Sequence, residues 1–211
     1  MKLYDYWRSS ACYRLRIAFN LKGLAFESEE VSLHPDVLAQ NSEPYRALNP
    51  QQRVPTVIID GETHTQSMAI LDWLEEEYPA PAFLPTASHD RLRARAFADT
   101  VACDIHPLNN SSVLKYLHES FEASPGAIND WYGTWVMRGF EALEIHARKS
   151  NAEFLFGDQP GLAEICLIPQ IYNARRFDLD LTAFPALLAI DGKCQEIAAF
   201  QAATPEAVKP A

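Results

Sequence analysis

The sequence predicts an α/β region built on a mixed four-stranded sheet, followed by an all-α region. Three observations carry that expectation. Extended and helical patterns alternate through residues 2–78, strand signals then stop, and Pro79, Pro81 and Pro85 separate the two regimes.

The chain opens on KLYDYW (residues 2–7), which reads as a short buried strand rich in Leu and Tyr. From about Ala11 the apolar positions Leu15, Ala18, Phe19 and Leu21 follow helical spacing, and Gly23 is a plausible stop. A weakly patterned extended stretch spans residues 26–33. Residues 35–48 form a polar connection with room for a short helix. Residues 54–59 (VPTVII) give a strong strand signal, and Asp60-Gly61 is a hairpin turn pair that returns the chain through residues 62–65. Ser67 is expected to cap a helix carrying Ile70, Leu71, Leu74 and Tyr78 on one face, ended by Pro79. Strand-helix-strand joined to strand-hairpin-strand-helix is the thioredoxin-like order, a sheet flanked by helices.

Beyond Pro85 the periodicity is helical. Residues 90–117 form a long helical stretch broken near Pro107, which has no N–H to donate. Residues 128–148 carry Trp131, Trp135, Phe140 and Leu143 at helical spacing, and residues 162–176 and 185–200 are two further apolar helices. The last residues, 204–211, hold two prolines and little apolar content, so a loose tail is expected.

Composition excludes several function classes. A hydrophobic fraction of 48% over 211 residues is ample for a core. No apolar run approaches the roughly 18 residues of a membrane span, and no charged-then-apolar leader opens the sequence. Cys12, Cys103, Cys166 and Cys194 lie far apart without metal-ligand spacing, which suits buried reduced thiols in a cytoplasmic protein, with no metal site. The net charge of −10 makes a nucleic-acid partner improbable on physical grounds. Any anionic ligand must therefore be held by local chemistry. The run RSSACYRLRIAF (residues 8–19) offers such chemistry, because Ser9, Ser10 and Ala11 sit where a helix begins with unpaired N–H groups and a partial positive charge.

SSACYRLRIAF resembles the signature that opens the first helix of zeta-class glutathione transferases. ALNPQQRVPTV, QSMAILDWLEEEYP, DIHPLNNSSVLKYL and FGDQPGLAEICLIPQIYNARRF resemble further blocks of that family, in family order over nearly the whole chain. The resemblance implies the glutathione transferase fold. A thioredoxin-like glutathione-binding domain would occupy residues 1–80, a linker 81–88, and an all-helical domain completing the substrate site 89–211. It implies glutathione as cofactor and a homodimer, with neither nucleic acid nor membrane as partner.

The implied activity is glutathione-dependent cis–trans isomerisation in aromatic-compound catabolism. Maleylacetoacetate would become fumarylacetoacetate by thiolate addition, bond rotation and elimination. The substrate is a small dianionic cis-enedione. Alternatives are maleylpyruvate isomerisation, broader zeta-type conjugation or dehalogenation, and a non-catalytic binding module on the same fold.

By position, the resemblance makes Ser9 the first donor to the glutathione sulfur and Ser10 the second, with Ala11 beside them. Val54-Pro55 matches a cis-proline pair whose Val54 backbone binds the cysteinyl amide. Gln66 and Ser67 match the γ-glutamyl carboxylate site, and Gln40 lies near the glycyl end. His106, Asn110, Ser111 and Ser112 match further pocket positions, while Arg8 and Arg176 match substrate-carboxylate ligands. Arg14, Arg16 and Arg175 are expected in structural ion pairs or solvated contacts.

Two departures stand out. Ala11 replaces the family's usual cysteine, and Cys12 follows it as either a reactive thiol or a small packing residue. Gly161-Leu162-Ala163-Glu164 replaces a Thr-x-x-Asp capping box.

Overall fold

The computed structural model describes residues 1–210. The chain divides into two compact units, Met1–Ala82 with Gln195–Ala211 and Phe83–Cys194.

In the first unit, β1 (Lys2–Asp5) runs parallel to β2 (Glu27–Glu30) and antiparallel to β3 (Thr56–Ile59), which pairs with β4 (Glu62–Thr65). The order is β2-β1-β3-β4. The extended stretch at 26–33 shortens to the ESEE strand, exposed along its length. Its weak pattern has a physical reason: it is an edge strand, and charge on an edge discourages pairing with another chain. Lys2 holds Glu27 and Glu29 together. The β3–β4 turn places Asp60 at φ 51 and Gly61 at φ 87, the paired left-handed geometry of a two-residue hairpin.

Helix α1 (Ser10–Leu21) is buried along nearly its whole length, with Leu15, Ile17, Ala18 and Phe19 fully inaccessible. Such depth forces its arginines into the interior. Arg16 finds the expected ion pair there, donating to Asp5 at 2.7 Å, Trp7 O at 3.1 Å and Ala203 O at 2.9 Å. Helix α2 (Glu43–Leu48) occupies the polar connection, and α3 (Ser67–Glu77) buries Ile70, Leu71 and Leu74. Ser67 is the first helical residue of α3; the N-cap is Gln66, so the expected cap lies one residue late.

The C-terminal residues depart from the sequence expectation. The helix expected over 185–200 splits into α8 (Pro185–Gln195) and α9 (Ala198–Gln201), and the tail forms α10 (Pro205–Val208). Phe200, Ala203 and Pro205 are buried in the first unit, where Asn20 donates to Ala199 O at 3.0 Å. Backbone carbonyls bind this segment to α1 in addition to its buried apolar side chains, and a pattern of side chains does not report the carbonyls.

The second unit is helical: α4 (Ser88–Asp99), a π-helical turn (Thr100–Ile105), α5 (Ser111–Phe121), α6 (Pro125–Ala147), α7 (Leu162–Arg176) and the body of α8. The break expected near Pro107 falls there, since His106 closes the π turn. On α6 the buried face is Tyr132, Val136, Phe140 and Leu143, while Trp131 and Trp135 pack edge to face at 5.6 Å, half-buried. Cys12, Cys166 and Cys194 are buried thiols, but Cys103 is exposed, against expectation, on the π turn.

Two buried glutamates organise the helix starts of this unit. Glu144 accepts the Ala186 and Leu187 N–H groups at 3.0 Å each, capping α8. Glu164 accepts from Gly161 N at 2.8 Å and Leu155 N at 2.7 Å, so it retains the glutamate half of the capping box. Burial pushes the Glu164 carboxyl above its ordinary range, and the backbone donors oppose that rise.

The glycine at 161 has a spatial cause. A Cβ there would lie 2.3 Å from Phe83 O, the same carbonyl that accepts the Leu162 N–H at 2.9 Å. A backbone oxygen cannot swing aside as a side chain can. Gly161→Ala is therefore expected to destabilise the fold by about 1–3 kcal/mol, seen as a lower urea midpoint at unchanged slope. An unchanged midpoint would show that the loop yields freely.

Candidate ligand site and active site

Chain reversal after β1 delivers Arg8 and Ser9 to the start of α1. Ser9 is the N-cap: its N–H bonds Tyr6 O at 2.8 Å and its Oγ accepts the Cys12 N–H at 3.3 Å. Because Oγ is the acceptor in that bond, its own hydrogen remains available to an anion. No acidic residue lies in the first turn of α1, so the positive end of the helix is uncompensated. Ser10 and Ala11 are buried beside it. Arg8 is exposed, with its guanidinium 4.3 Å from the Trp7 ring centroid.

Cys12 favours the second of its two readings. It is fully buried in a cluster with Val31, Tyr45 and Val54. Burial pushes its thiol far above the ordinary range, Asp5 adds to the rise, and Ser9 and Arg16 oppose it. A thiol shut from solvent, with burial favouring its neutral form, suits a packing residue better than a reactive one.

The Val54–Pro55 bond is cis, with both residues buried. A polar bracket that the sequence reading missed holds the loop before it. Tyr45 Oη donates to Arg53 O at 2.7 Å and contacts Thr56 Oγ1 at 2.9 Å. Asn49 Nδ2 reaches the same two oxygens at 2.7 and 3.1 Å, and its Oδ1 accepts from Gln51 N at 3.0 Å. Burial pushes the Tyr45 phenol up to about 12, so it remains a donor. The available signal was Thr56, a polar residue inside an apolar strand run.

Gln66 sits at φ 71, a conformation that non-glycine residues rarely adopt and that recurs at ligand clamps. Its exposed amide donates to Gln51 Oε1 at 2.8 Å. No side chain caps α3 and no acid lies in its first turn. Ser67 is buried there, accepting from Arg14 Nη1 at 3.4 Å. Arg14 departs from expectation, being buried with no ion pair among the described residues. Gln40, in the 3₁₀ turn Ala39–Asn41, carries a buried Oε1 without a partner. The first unit thus gathers Ser9, Ser10, Val54, Gln66 and Ser67 on two helix starts and the loop that Tyr45 braces.

In the second unit, His106 lies half-buried at the end of the π turn and Asn110 caps α5 by accepting from Ser112 N at 3.0 Å. Ser111 and Ser112 are exposed on its first turn. At the last turn of α7, Arg175 pairs with buried Asp191 at 2.6 Å, as expected of a structural arginine. Arg176 is different: it is exposed, no carboxylate among the described residues pairs with it, and its guanidinium lies 5.4 Å from the Phe177 ring. Phe177 in turn stacks on Tyr132 with centroids 3.6 Å apart. Burial pushes the Tyr132 phenol up to about 12 despite the nearby Arg176 charge. Gln170, Asn173 and Arg176 follow one another at helical spacing along α7; the buried Gln170 amide lies beside the Tyr132 phenol, and Asn173 Oδ1 is buried without a partner among the described residues. The sequence reading picked out Arg176 and missed the two amides above it.

Among the described residues no group of His, Cys, Asp or Glu is arranged to hold a metal ion.

Residues 3–82 match the family described as glutathione S-transferase, N-terminal domain. The maleylpyruvate isomerase of a Ralstonia species is 46% identical over 98% of each chain. The holo structure of a bacterial maleylpyruvate isomerase of the zeta class superimposes with a TM-score of 0.96 at 45% identity, covering 100% of both chains. Maleylacetoacetate isomerase of Anaeromyxobacter dehalogenans, in a structure with dicarboxyethyl glutathione and citrate in the active site, gives a TM-score of 0.85 at 44% identity, covering 100% of this chain and 93% of that one. Likeness of this extent, joined to the helix starts and braced cis-proline loop described above, places the chain in the glutathione transferase family, among the zeta-class isomerases.

Proposed function

We propose that this enzyme isomerises maleylacetoacetate to fumarylacetoacetate with glutathione as cofactor. The observation that carries the reading is a pair of helix starts in the first unit, α1 and α3, each with a serine and neither with an acid in its first turn. In a chain of net charge −10, two such uncompensated positive ends suit a ligand with several anionic groups. Glutathione has two carboxylates and an ionisable thiol, and when bound it supplies a sulfur nucleophile to the cis double bond.

The chain's own residues do the rest. The Ser9 hydroxyl donates to the sulfur and favours its anionic form, with the α1 start adding to that preference. Ser10 and Ala11 belong to the same turn. The Val54 backbone and the amides of Gln66 and Gln40 hold the peptide, and the buried Gln40 Oε1 fits a ligand N–H. Ser67 takes the γ-glutamyl carboxylate. Arg8 and Arg176, both exposed and neither in a salt bridge among the described residues, are the substrate-carboxylate ligands, and their charge stabilises the enolate that addition creates. His106, Asn110, Ser111 and Ser112 complete the polar lining.

Maleylpyruvate is the second reading, favoured by the Ralstonia relative. Turnover of both substrates with glutathione decides between them: a higher kcat/KM for maleylacetoacetate supports the first. Comparable failure on both would leave broader glutathione conjugation or a non-catalytic binding role. Residues 1–80 and 89–211 are proposed as the glutathione-binding and substrate-completing domains, joined by 81–88. No described helix is long and apolar enough to cross a membrane; the cytoplasmic location is proposed from the four widely spaced cysteines. We also expect a twofold dimer. Light scattering should give about twice the 23.7 kDa chain mass, and an active monomer would refute it.

A further inference from the structure

Arg14 is the least expected side chain in the first unit. It is 2% exposed, yet among the described residues it has no carboxylate partner. Its one hydrogen bond runs from Nη1 to Ser67 Oγ at 3.4 Å, while Nε and Nη2 are buried with nothing to donate to. Arg16, two residues on and equally buried, satisfies its guanidinium with Asp5 and two carbonyls. A buried uncompensated cation is expensive, and a merely structural position would favour an apolar residue or a paired one.

We propose that Arg14 is a positioning residue whose missing counter-charge is the carboxylate of the bound ligand, reached through Ser67. An arginine can only donate, so Ser67 Oγ must be the acceptor and its own proton is directed away from Arg14. The hydroxyl is thereby fixed as a donor at the start of α3, which has no side-chain cap and no acid in its first turn and so favours an anion. The guanidinium adds a full positive charge behind that donor in a low-dielectric interior, where screening is weak. Arg14 thus holds the γ-glutamyl subsite ready before ligand arrives and selects for a carboxylate there. This inference rests on the glutathione reading above.

Its test is a binding cycle rather than an activity assay. Affinities of the full chain, wild type and Arg14→Met, are measured by calorimetry for glutathione and for 4-aminobutyryl-cysteinyl-glycine, which lacks only the γ-glutamyl α-carboxylate. Wild type is expected to prefer glutathione by about ten- to a hundredfold, the range of hydrogen bonds to charged groups. Arg14→Met is expected to reduce that preference to about threefold or less, because its loss falls on the carboxylate-bearing ligand. Equal weakening of both ligands, with the preference intact, would overturn the proposal. Should Arg14→Met fail to fold, Arg14→Lys keeps the charge without the fork and is expected to show an intermediate preference. A preference in Arg14→Lys equal to wild type would count against the role. Wild type binding neither ligand would instead remove the functional reading itself.

Discussion

Ser9→Ala is expected to lower isomerase kcat by about 10²–10³ while glutathione affinity changes little, the usual cost of removing one preorganised donor to a developing or fixed anion. Affinity persists because Gln66, Ser67 and the Val54 backbone grip parts of the tripeptide that Ser9 does not touch. The substitution also removes the α1 cap, since Ser9 Oγ accepts the Cys12 N–H, and a lost cap costs about 1 kcal/mol. Ser9→Gly separates the two effects. Glycine is nearly as good a cap as serine but has no hydroxyl, so it should retain the melting temperature and still lose turnover. The thiolate absorbance of bound glutathione provides a second readout. In wild type the thiol should titrate below its free value of about 8.5 and in Ser9→Gly move back toward it. Cys12→Ala should keep the wild-type titration, because a thiol buried among Val31, Tyr45 and Val54 contributes packing alone. If Cys12→Ala abolished turnover while Ser9→Gly did not, Ser9 would lose its assignment.

The second large effect is expected at Arg176. Arg176→Ala should reduce kcat/KM by about 30- to several-thousand-fold, the range for deleting one side of a charged hydrogen bond once bound substrate has covered this exposed guanidinium, with glutathione affinity retained. Arg176→Lys should recover only part of the loss, since an ammonium lacks the planar fork that meets a carboxylate twice. Arg175→Ala is the natural control. It breaks the pair with buried Asp191, so it should lower thermal stability and leave kcat/KM nearly unchanged in the folded fraction. Normal kcat/KM in Arg176→Ala, or a loss that tracks unfolding, would refute its substrate role.

These adjacent arginines also show how much the sequence discloses. Resemblance to the family over YNARRF singled out Arg176, and the structure separates it from Arg175 by an ion pair that no local pattern encodes. The sheet and its flanking helices were legible because apolar spacing and the Asp60-Gly61 turn are local signals. The acidic edge strand Glu27–Glu30 was barely legible, since its pairing with β1 rather than its own composition makes it a strand. The C-terminal segment was misread for a related reason: Arg16 and Asn20 anchor it through the carbonyls of Ala203 and Ala199, some 180 residues away in sequence. Helix starts carrying Ser9 and Ser67 were visible, with the second displaced by one residue because Gln66 turns the chain at positive φ. The bracket of Tyr45, Asn49 and Thr56 was not visible, nor was the unpaired state of Arg14. Both depend on which polar atoms meet once the chain has folded.

The central claim is that glutathione acts as a recycled cofactor in a cis–trans isomerisation. It is tested most directly by stripping the enzyme of thiols and restoring glutathione at a small fraction of the substrate concentration. The account predicts no turnover before addition, many turnovers per glutathione afterwards, a trans product of unchanged mass, and free thiol undiminished at the end. Turnover without glutathione, or thiol consumed one-for-one with product, would contradict it.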